Sequence, residues 1–409
     1  MSKYVLLILL SSIILEIQGQ TPSPEANFTT ILEAILQGYD RRLSPDIFSG
    51  QPTVMDIGVY IIEMHSVSDD DLQFSTSIFL RRTWRDPRLE FSSMGSYTFV
   101  VRDEYLERFW TPDIFFPNER DAHFHEYTKL NEAMWLDPDG TVFLTTRYSL
   151  VLSCPMNLQD YPLDTQQCNL EIETYSYETN QLRLRWRSEL PLVVPDRLFL
   201  QTFSLEGYEL VNCASLYTTG GFSCLRVTFT LQRNLGYHMI TTFIPSAFVV
   251  TVSWVGFWIP PEAVPARASL GVTAVLSIIT QLFIGGLNQP QVPYIKAIDV
   301  WMAMIISMVF ASIIEFAIVN VVLRLELKAR LRQQAKLTLQ NSDDPSDTRG
   351  QLLYQIAAYM AEMNPGDKLS VAELIDWISR ALFPLFFVIF TISYSVYYEQ
   401  QDIDVPERT

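Results

Sequence analysis

A chain of 409 residues, of which 48% are hydrophobic, is long enough for two domains. Its 46 acidic residues outnumber its 29 basic residues, so the formal net charge is −17. This charge argues against nucleic acid as a partner, because a surface that binds phosphate groups must be positive.

The first residues have the pattern of a cleaved secretory signal. One lysine precedes a largely apolar stretch, Tyr4–Leu15, and small and polar residues follow it. Such a signal places the next segment outside the cell, and the N-glycosylation sequon at Asn27 agrees with that location. We therefore predict a signal peptide at residues 1–19 and an extracellular domain at residues 20–235.

The extracellular segment is predicted to be an all-β, immunoglobulin-like sandwich. Short alternating runs, among them Thr53–Glu63, Gln73–Trp84 and Thr141–Leu152, are separated by clusters of Pro, Gly, Asp and Asn. A period near 3.6 over Thr29–Leu36 predicts one short helix before these strands.

All four cysteines lie in this segment, between residues 154 and 224. An even number of cysteines outside the cell predicts disulfides, and four cysteines allow three pairings. The nearest pairs in sequence are Cys154 with Cys168 and Cys213 with Cys224. The first pair would close a loop worth about 3 kcal/mol of stability.

After Arg233 the composition changes to long apolar runs. Four runs are long enough to cross a bilayer as helices, and among these runs the third contains an acid, Glu315. A carboxylate inside a membrane is costly, so Glu315 is predicted to face protein or water, and a buried, hydrogen-bonded acid that supports helix packing is favoured. The runs are Met239–Ile259, Ala268–Leu287, Val300–Leu323 and Ala381–Tyr398.

The charge distribution predicts the topology of these spans. The basic segment from Arg324 to Lys336 is cytoplasmic by the positive-inside rule, so both chain termini lie outside the cell. We therefore predict three transmembrane helices at residues 236–323, a short intracellular loop with an amphipathic helix at 324–377, a fourth transmembrane helix at 378–398 and an extracellular tail at 399–409.

The second apolar run has a polar stripe. Ser269, Thr273, Leu276 and Thr280 recur at steps of four, three and four, which puts them on one helix face that could line water. Small hydroxyl side chains also let membrane helices pack closely, and this is the alternative interpretation. Arg267, at the mouth of the run, favours an ion path, because a charge at a helix end beside a polar stripe suggests one.

The run from Pro265 to Thr273, Pro-Ala-Arg-x-x-Leu-Gly-Val-Thr, resembles the pore helix of anion-selective Cys-loop receptors, the pentameric channels opened by glycine, GABA or glutamate. Thirteen residues with a central Tyr-Pro-Leu-Asp separate Cys154 from Cys168, and this segment matches the loop for which the family is named. The resemblance implies a homo- or hetero-pentamer in the plasma membrane, with a four-helix transmembrane bundle in each subunit, lipid around it and a chloride pore on the five-fold axis. It implies no cofactor.

The resemblance also implies an agonist site between neighbouring subunits. Aromatic faces attract an ammonium group and the planar guanidinium of arginine suits a carboxylate, so a small amino acid or amine is expected. Two departures from the glycine-receptor pattern leave the agonist open, since Trp135 stands where that pattern has an arginine and Tyr175 replaces a phenylalanine. The alternatives are aromatic residues in the sandwich core and a solvated strand arginine. The implied binding residues are Phe79, Arg81, Phe115, Thr145, Glu173, Tyr175, Tyr217, Thr219 and Phe222.

In the pore, the resemblance implies that five copies of Leu276 form a hydrophobic gate and that five copies of Arg267 ring the cytoplasmic mouth. The competing hypothesis is that Arg267 anchors the helix in the headgroup layer, in which case local backbone geometry selects the ion. The implied pore residues are Pro265, Ala266, Arg267, Ser269, Thr273, Leu276, Thr280 and Phe283.

Coupling between the two domains is implied for the Cys154–Cys168 loop, the residue before the first span and the link after the second span. We expect the acidic turn Asp69–Asp71 to oppose Arg233. The implied coupling residues are Asp70, Tyr161, Pro162, Asp164, Arg233 and Pro290.

His123 and His125 are two residues apart on a strand, so they share a face and could hold an inhibitory zinc ion with a third ligand. Their His-x-His pattern matches the inhibitory zinc site of the glycine receptors. Surface histidines without a metal are the alternative.

Two classes of function remain after this comparison. The first is a neurotransmitter-gated chloride channel, and the second is a non-conducting binding or assembly subunit at the cell surface that needs partner subunits. An enzyme is disfavoured, because the sequence shows no nucleophile–base pair and no Gly-rich phosphate loop.

Overall fold

The alternating segments of the extracellular half form two β-sheets that pack face to face. The computed structural model describes residues 28–94, 96–101, 103–125, 129–195, 197–287, 289–341 and 370–403. They form two compact units. The first contains the chain up to Met156 and Gln167–Leu231, and the second contains Asn157–Gln166 and the chain from Gln232. The predicted signal peptide, the sequon at Asn27, residues 342–369 of the intracellular loop and residues 404–409 of the tail lie outside the described residues.

The larger sheet has eight strands and the smaller sheet has four. The strands are β1 Thr53–Ser68, β2 Gln73–Arg85, β3 Phe99–Val101, β4 Ile114–Phe115, β5 Glu119–Phe124, β6 Glu132–Leu136, β7 Thr141–Ser153, β8 Thr165–Thr174, β9 Leu182–Trp186, β10 Leu192–Val193, β11 Phe203–Tyr217 and β12 Gly220–Arg233. The larger sheet has the order β10-β1-β2-β7-β6-β3, with β9 also beside β1 and β5 beside β7. The smaller sheet has the order β11-β12-β8-β4.

The alternation of side chains along the strands builds the core between the sheets. On β2, Phe74 and Ile78 are fully buried, whereas Phe79 and Arg81 are half-exposed. Phe74 meets Phe229 of the smaller sheet edge to face, with ring centres 6.3 Å apart. Each fully buried side chain of this size stabilises the fold by about 1.5–3 kcal/mol. The predicted sandwich is confirmed.

A short helix, α1 at Phe28–Leu36, precedes the strands. Ile31, Leu32 and Ile35 are buried, at the spacing that places them on one helix face. The helix predicted from this period is therefore confirmed.

Both disulfides join cysteines that are nearest in sequence. The first links Cys154, just after β7, to Cys168 in β8, and so connects the larger sheet to the smaller one. The second links Cys213 in β11 to Cys224 in β12 and closes that hairpin.

Among its described residues, the other unit contains four helices that are long and apolar enough to cross a membrane, as predicted. They are α2 Gly236–Trp258, α3 Val264–Leu287, α4 Ala297–Asn341 and α5 Val371–Ile403. Aromatic side chains fill the space between three of them: the ring of Trp301 lies 5.1 Å from that of Phe243 and 5.5 Å from that of Tyr394. Helix α4 continues well beyond the predicted end of the third span at Leu323.

A buried ion pair joins α3 to α5. The side chains of Arg267 and Asp376 are 2% and 1% exposed. The guanidinium of Arg267 donates to both carboxylate oxygens of Asp376, at 3.0 Å to Oδ1, and its Nε donates to the carbonyl oxygen of Ile259 at 2.9 Å. A buried charge needs such partners, so this pair holds the first turn of α3 against the end of α2 and against α5.

Glu315 of α4 lies close to this ion pair and interacts electrostatically with both of its members. Its side chain is buried, as predicted for an acid that faces protein. Asp376 and Ser379 lie within hydrogen-bonding reach of its carboxyl group, but neither carboxyl oxygen makes a hydrogen bond of regular geometry to a described residue, so the predicted hydrogen bonding stays a prediction. A cavity of about 100 Å³ adjoins Glu315, Arg267 and Ser312.

Asp376→Asn tests the ion pair, because it keeps the side-chain shape but removes the carboxylate that pairs with the buried guanidinium of Arg267. We expect a loss of about 3–5 kcal/mol in stability. The measurement is the thermal unfolding temperature of the detergent-purified protein. Glu373→Gln is the matched control, since Glu373 is exposed on the same helix. Equal unfolding temperatures for the two variants would contradict the assigned role.

Candidate functional site

The predicted binding residues lie in two clusters on different sheets of the extracellular unit. The first, which we call the aromatic cluster, contains Phe115, Glu173, Tyr175, Tyr217 and Phe222 on β4, β8 and the β11–β12 hairpin. Phe115 is the ladder partner of Glu173, and its ring meets that of Tyr175 edge to face at 5.5 Å. Tyr217 and Phe222 meet in the same way at 5.6 Å.

Glu173 connects these two pairs of rings. It is 2% exposed, and the hydroxyl of Ser215 donates a hydrogen bond to it. Desolvation, followed by the nearby carboxylate of Glu173, raises the pKa of Tyr217. Tyr175 and Tyr217 are 69% and 50% exposed, so neither ring belongs to the sandwich core. A carboxylate beside exposed aromatic faces attracts a cation.

Thr219 lies exposed in the turn between β11 and β12. The turn follows Tyr217 directly, so Thr219 is two residues from the aromatic cluster along the chain.

The second cluster lies on the outward surface of β1, β2, β7 and β6 around Arg81, and we call it the arginine face. Arg81 is paired with Thr145 on β7 and with Gly58 on β1. Phe79 is paired with Tyr60, and the guanidinium carbon of Arg81 lies 5.6 Å from the centre of the Tyr60 ring. The structure therefore brings together the three binding residues predicted for this surface, Phe79, Arg81 and Thr145.

Arg82, next to Arg81, points the other way. It is buried and donates to Glu132 Oε1 at 3.2 Å and to Thr146 Oγ1 at 2.5 Å. Neighbouring residues of a strand point to opposite faces, and these two arginines do so. Arg82 has its charge partner inside the fold, whereas Arg81 has no ion pair with a described residue.

The aromatic cluster belongs to the smaller sheet and the arginine face to the outer surface of the larger one. Because the sandwich core separates these sheets, one small ligand cannot touch both clusters of the same chain. A ligand held by both clusters needs a second copy of the extracellular unit beside the first.

On α3, the predicted pore residues share one exposed face. Leu276 and Phe283 are 64% and 71% exposed, whereas Ala274 and Ile278 on the opposite side are 5% and 1% exposed and pack in the helical core. The polar members of this face are exposed too, and each donates its hydroxyl to a carbonyl of its own helix; they are Ser269, Thr273 and Thr280. Within one chain, the stripe is therefore not a packing surface.

The structure contradicts the predicted position of Arg267. Its side chain is buried against Asp376 and does not lie on the exposed face with Pro265 and Ala266. Arg267 precedes Ser269 by two residues, about 200° around an α-helix, so it lies almost opposite the stripe. Its charge is neutralised inside the subunit, so the side chain is held by protein and does not extend into the headgroup layer as the competing hypothesis has it.

The predicted coupling residues of the helical unit are close together. Arg233 Nε lies 2.7 Å from Asp164 Oδ1, and its guanidinium carbon lies 4.6 Å from the centre of the Tyr161 ring. The Cys154–Cys168 loop also contacts the start of α4, where the backbone amide of Ile298 donates to the carbonyl oxygen of Tyr161 at 3.1 Å. The loop and the start of α4 are therefore bound to one another, next to the buried Arg233.

The remaining coupling predictions involve two more positions. Pro290 is buried in the link before α4, and its carbonyl oxygen accepts a hydrogen bond from Lys296 Nζ at 3.3 Å. Asp70 is exposed in the β1–β2 turn. The pairing of this turn with Arg233 stays a prediction.

The two histidines each have a different partner. His123 Nε2 lies 3.1 Å from Asp121 Oδ2, and His125 Nε2 lies 2.7 Å from the hydroxyl of Ser149. The described residues contain no group of three or more His, Cys, Asp or Glu that could hold a metal ion. The structure therefore supplies no third zinc ligand from its described part.

Sequence reasoning missed three residues of these sites. Asp376 lies 109 positions after Arg267, and no local pattern connects them. Ser215 lies two residues before Tyr217 on the exposed hairpin, and a period of two was the signal that could have found it. Arg187 follows β9, and only the pairing of β9 with β1 brings it to the arginine face.

Two family models match this chain. The model of the neurotransmitter-gated ion-channel ligand binding domain matches residues 28–235, and that of the neurotransmitter-gated ion-channel transmembrane region matches residues 242–343. The matches cover the sandwich and the helices α2, α3 and α4. Members of this family are pentameric channels of the plasma membrane and not enzymes, with the N-terminal domain outside the cell. The chain belongs to the neurotransmitter-gated ion-channel family, the Cys-loop receptors.

Proposed function

We propose that the protein is an anion-selective channel in which a small amino acid, bound between the extracellular units of neighbouring subunits, opens a chloride pore lined by α3. The observation that carries this proposal is the exposed face of α3, which begins with Pro265 and Ala266 and presents no carboxylate between Pro265 and Phe283. In a pentamer, five such faces can surround one axis.

The electrostatics of the first turn of α3 favour an anion. The N-terminal end of a helix carries a partial positive charge, and here it is exposed beside small side chains. Arg267 adds little to this field, because Asp376 compensates its charge within the subunit. Anion selection therefore rests on the helix ends and on the missing carboxylate. Glu262 is exposed but precedes the helix.

The extracellular clusters favour a zwitterionic agonist. The aromatic cluster offers Glu173 and exposed rings to an ammonium group, and the arginine face offers Arg81 to a carboxylate. Since the two clusters of one chain cannot share a ligand, the aromatic cluster of one subunit would face the arginine face of its neighbour. This arrangement gives each subunit interface one site.

The direct experiment is to express the chain alone and to record currents evoked by glycine, GABA and glutamate under voltage clamp. A current whose reversal follows chloride supports the proposal. Surface expression without any current would favour the second candidate, a binding or assembly subunit that conducts only with partner subunits.

Charge selection is tested by the reversal potential in asymmetric NaCl. Wild type should follow chloride, and Ala266→Glu combined with deletion of Pro265 should move the reversal toward sodium, because five carboxylates at the mouth concentrate cations and repel anions. Glu262→Gln is the control and should leave the reversal at chloride. A wild-type reversal potential that follows sodium would contradict the proposed anion selectivity.

The gate is tested by Leu276→Thr. Leucine side chains at a narrow point exclude water, so a hydroxyl there should hydrate the closed pore and raise spontaneous opening or agonist sensitivity. The leak current and the half-maximal agonist concentration are the readouts. Leu282→Thr, on the inward side of the same helix, is the control and should not produce leak. A well-expressed Leu276→Thr channel with normal leak and sensitivity would argue against the gate.

The arginine face is tested by comparing two neighbouring arginines. Arg81→Ala should weaken binding of a carboxylate-bearing agonist by about 2–5 kcal/mol, the cost of losing a buried charge pair in an interface. Arg82→Ala should lower surface expression, since it leaves Glu132 without its partner, but channels that reach the surface should keep their agonist sensitivity. Equal losses of sensitivity would mean that the site is misplaced.

A further inference from the structure

A second arginine lies beside Arg81 on the arginine face. Arg187 directly follows β9, and its backbone amide donates to the carbonyl of Ile57 on β1 at 2.9 Å. A Cβ placed on Gly58 would lie 3.7 Å from Arg81 Cβ and 3.8 Å from Arg187 Cδ. The stems of both arginines therefore lie beside the same glycine.

The two guanidinium groups extend toward different aromatic rings. The guanidinium carbon of Arg187 lies 5.8 Å from the centre of the Phe143 ring on β7, whereas that of Arg81 lies 5.6 Å from the Tyr60 ring on β1. Strand β2 runs between β1 and β7, and neighbouring strands are about 4.8 Å apart. The two charges are therefore spread over the surface and do not converge on one point.

Neither guanidinium has a charge partner in the described part of the chain. Several nearby arginines are paired, Arg82 with Glu132, Arg88 with Asp86 and Arg185 with Asp56, whereas Arg147, opposite Phe79 on β7, has no ion pair with a described residue. Arg81 and Arg187 form no such ion pair, and both are only half-exposed. A guanidinium without a charge partner in the fold can bind a carboxylate of a ligand.

Trp135 supports the position of Arg187. Its ring lies 5.3 Å from that of Phe143 at an angle of 51°, so Trp135 packs against the ring that the Arg187 guanidinium approaches. The glycine-receptor pattern has an arginine at this position of the sequence. Here a different segment of the chain supplies a guanidinium to the same part of the surface, and the tryptophan supports it through Phe143.

We propose that Arg187 is a second carboxylate-binding residue of the arginine face and that it sets a preference for an agonist with two carboxylates, an acidic amino acid. This inference rests on the proposed function. An acidic amino acid has two carboxylates and one ammonium group. The arginine face of one subunit offers two separated guanidinium groups to the carboxylates, and Glu173, in the aromatic cluster of the neighbouring subunit, offers one carboxylate to the ammonium group. Arg81 binds one carboxylate and Arg187 binds the other.

The test compares glutamate with glutamine, which has the same size but an amide in place of the second carboxylate. Half-maximal concentrations are measured for channel current, and binding of both probes is measured by calorimetry on the detergent-purified, full-length channel. The variants are Arg187→Gln, Arg187→Lys and the control Arg183→Gln. Arg183 is exposed on β9 and loses the same charge in its variant.

Wild type should prefer glutamate over glutamine by about tenfold or more, the size of one charged hydrogen bond. Arg187→Gln should remove about tenfold of that preference by weakening glutamate binding and leaving glutamine binding nearly unchanged. Arg187→Lys should keep part of the preference because the charge remains, and Arg183→Gln should keep all of it.

Three outcomes would overturn the assignment of Arg187. They are an unchanged preference for glutamate in Arg187→Gln, equal binding of glutamate and glutamine by wild type, and binding of neither amino acid by wild type. These outcomes differ from a failure of the proposed function. If another amino acid evokes a chloride current, the proposed channel function stands but the role of Arg187 does not. If an amino acid evokes a current whose reversal follows sodium, the proposed anion selectivity is wrong, whatever the preference between glutamate and glutamine.

Discussion

A guanidinium buried among membrane helices must have an opposite charge beside it, and the ion pair of Arg267 with Asp376 meets this requirement. The pair fixes the rotation of α3 about its own axis, because Arg267 is held toward α5 in the first helical turn. Once that turn is fixed, the helical period decides which side chains face outward further along. The exposure of Ser269, Leu276 and Phe283 therefore depends on a contact at the opposite side of the helix.

The same rule helps to separate structural from functional charges in the extracellular unit. Arg82 and Asp86 are buried and have partners within the fold. Arg81 and Arg187 lie on a half-exposed surface and have no ion pair with another described residue. Glu173 is buried, yet its contacts are to a hydroxyl and not to a cation. Charges without compensation within a stable fold are the ones that a ligand can compensate.

Local patterns predicted much of the fold. The alternation along β2 gave the inward and outward residues, and the lengths of the apolar runs gave four membrane helices. The arrangement of the arginines was harder, because it depends on pairings across the chain. Asp376 is 109 residues from Arg267, and Arg187 reaches the arginine face through the parallel pairing of β9 with β1.

The error about Arg267 has a different origin. Its two-residue offset from Ser269 already placed it nearly opposite the stripe, since each residue turns an α-helix by about 100°. The prediction of a pore-facing Arg267 followed from its charge at the helix end, and this angle contradicts it. For a side chain as long as arginine, the partner that compensates the charge decides the direction, and that partner was not visible in the sequence.

The hydroxyl groups on the exposed face of α3 have one more consequence. Thr273 donates to the carbonyl of Ser269 at 2.7 Å and Thr280 to that of Leu276 at 2.8 Å, so their hydrogens point to the backbone and their lone pairs outward. A passing anion needs the hydrogens instead, and each hydroxyl must rotate away from its carbonyl to offer one. Exchanging one such bond for another costs about 1 kcal/mol or less. The proposed pore would thus solvate chloride transiently, with donors that return to the helix after the ion has passed.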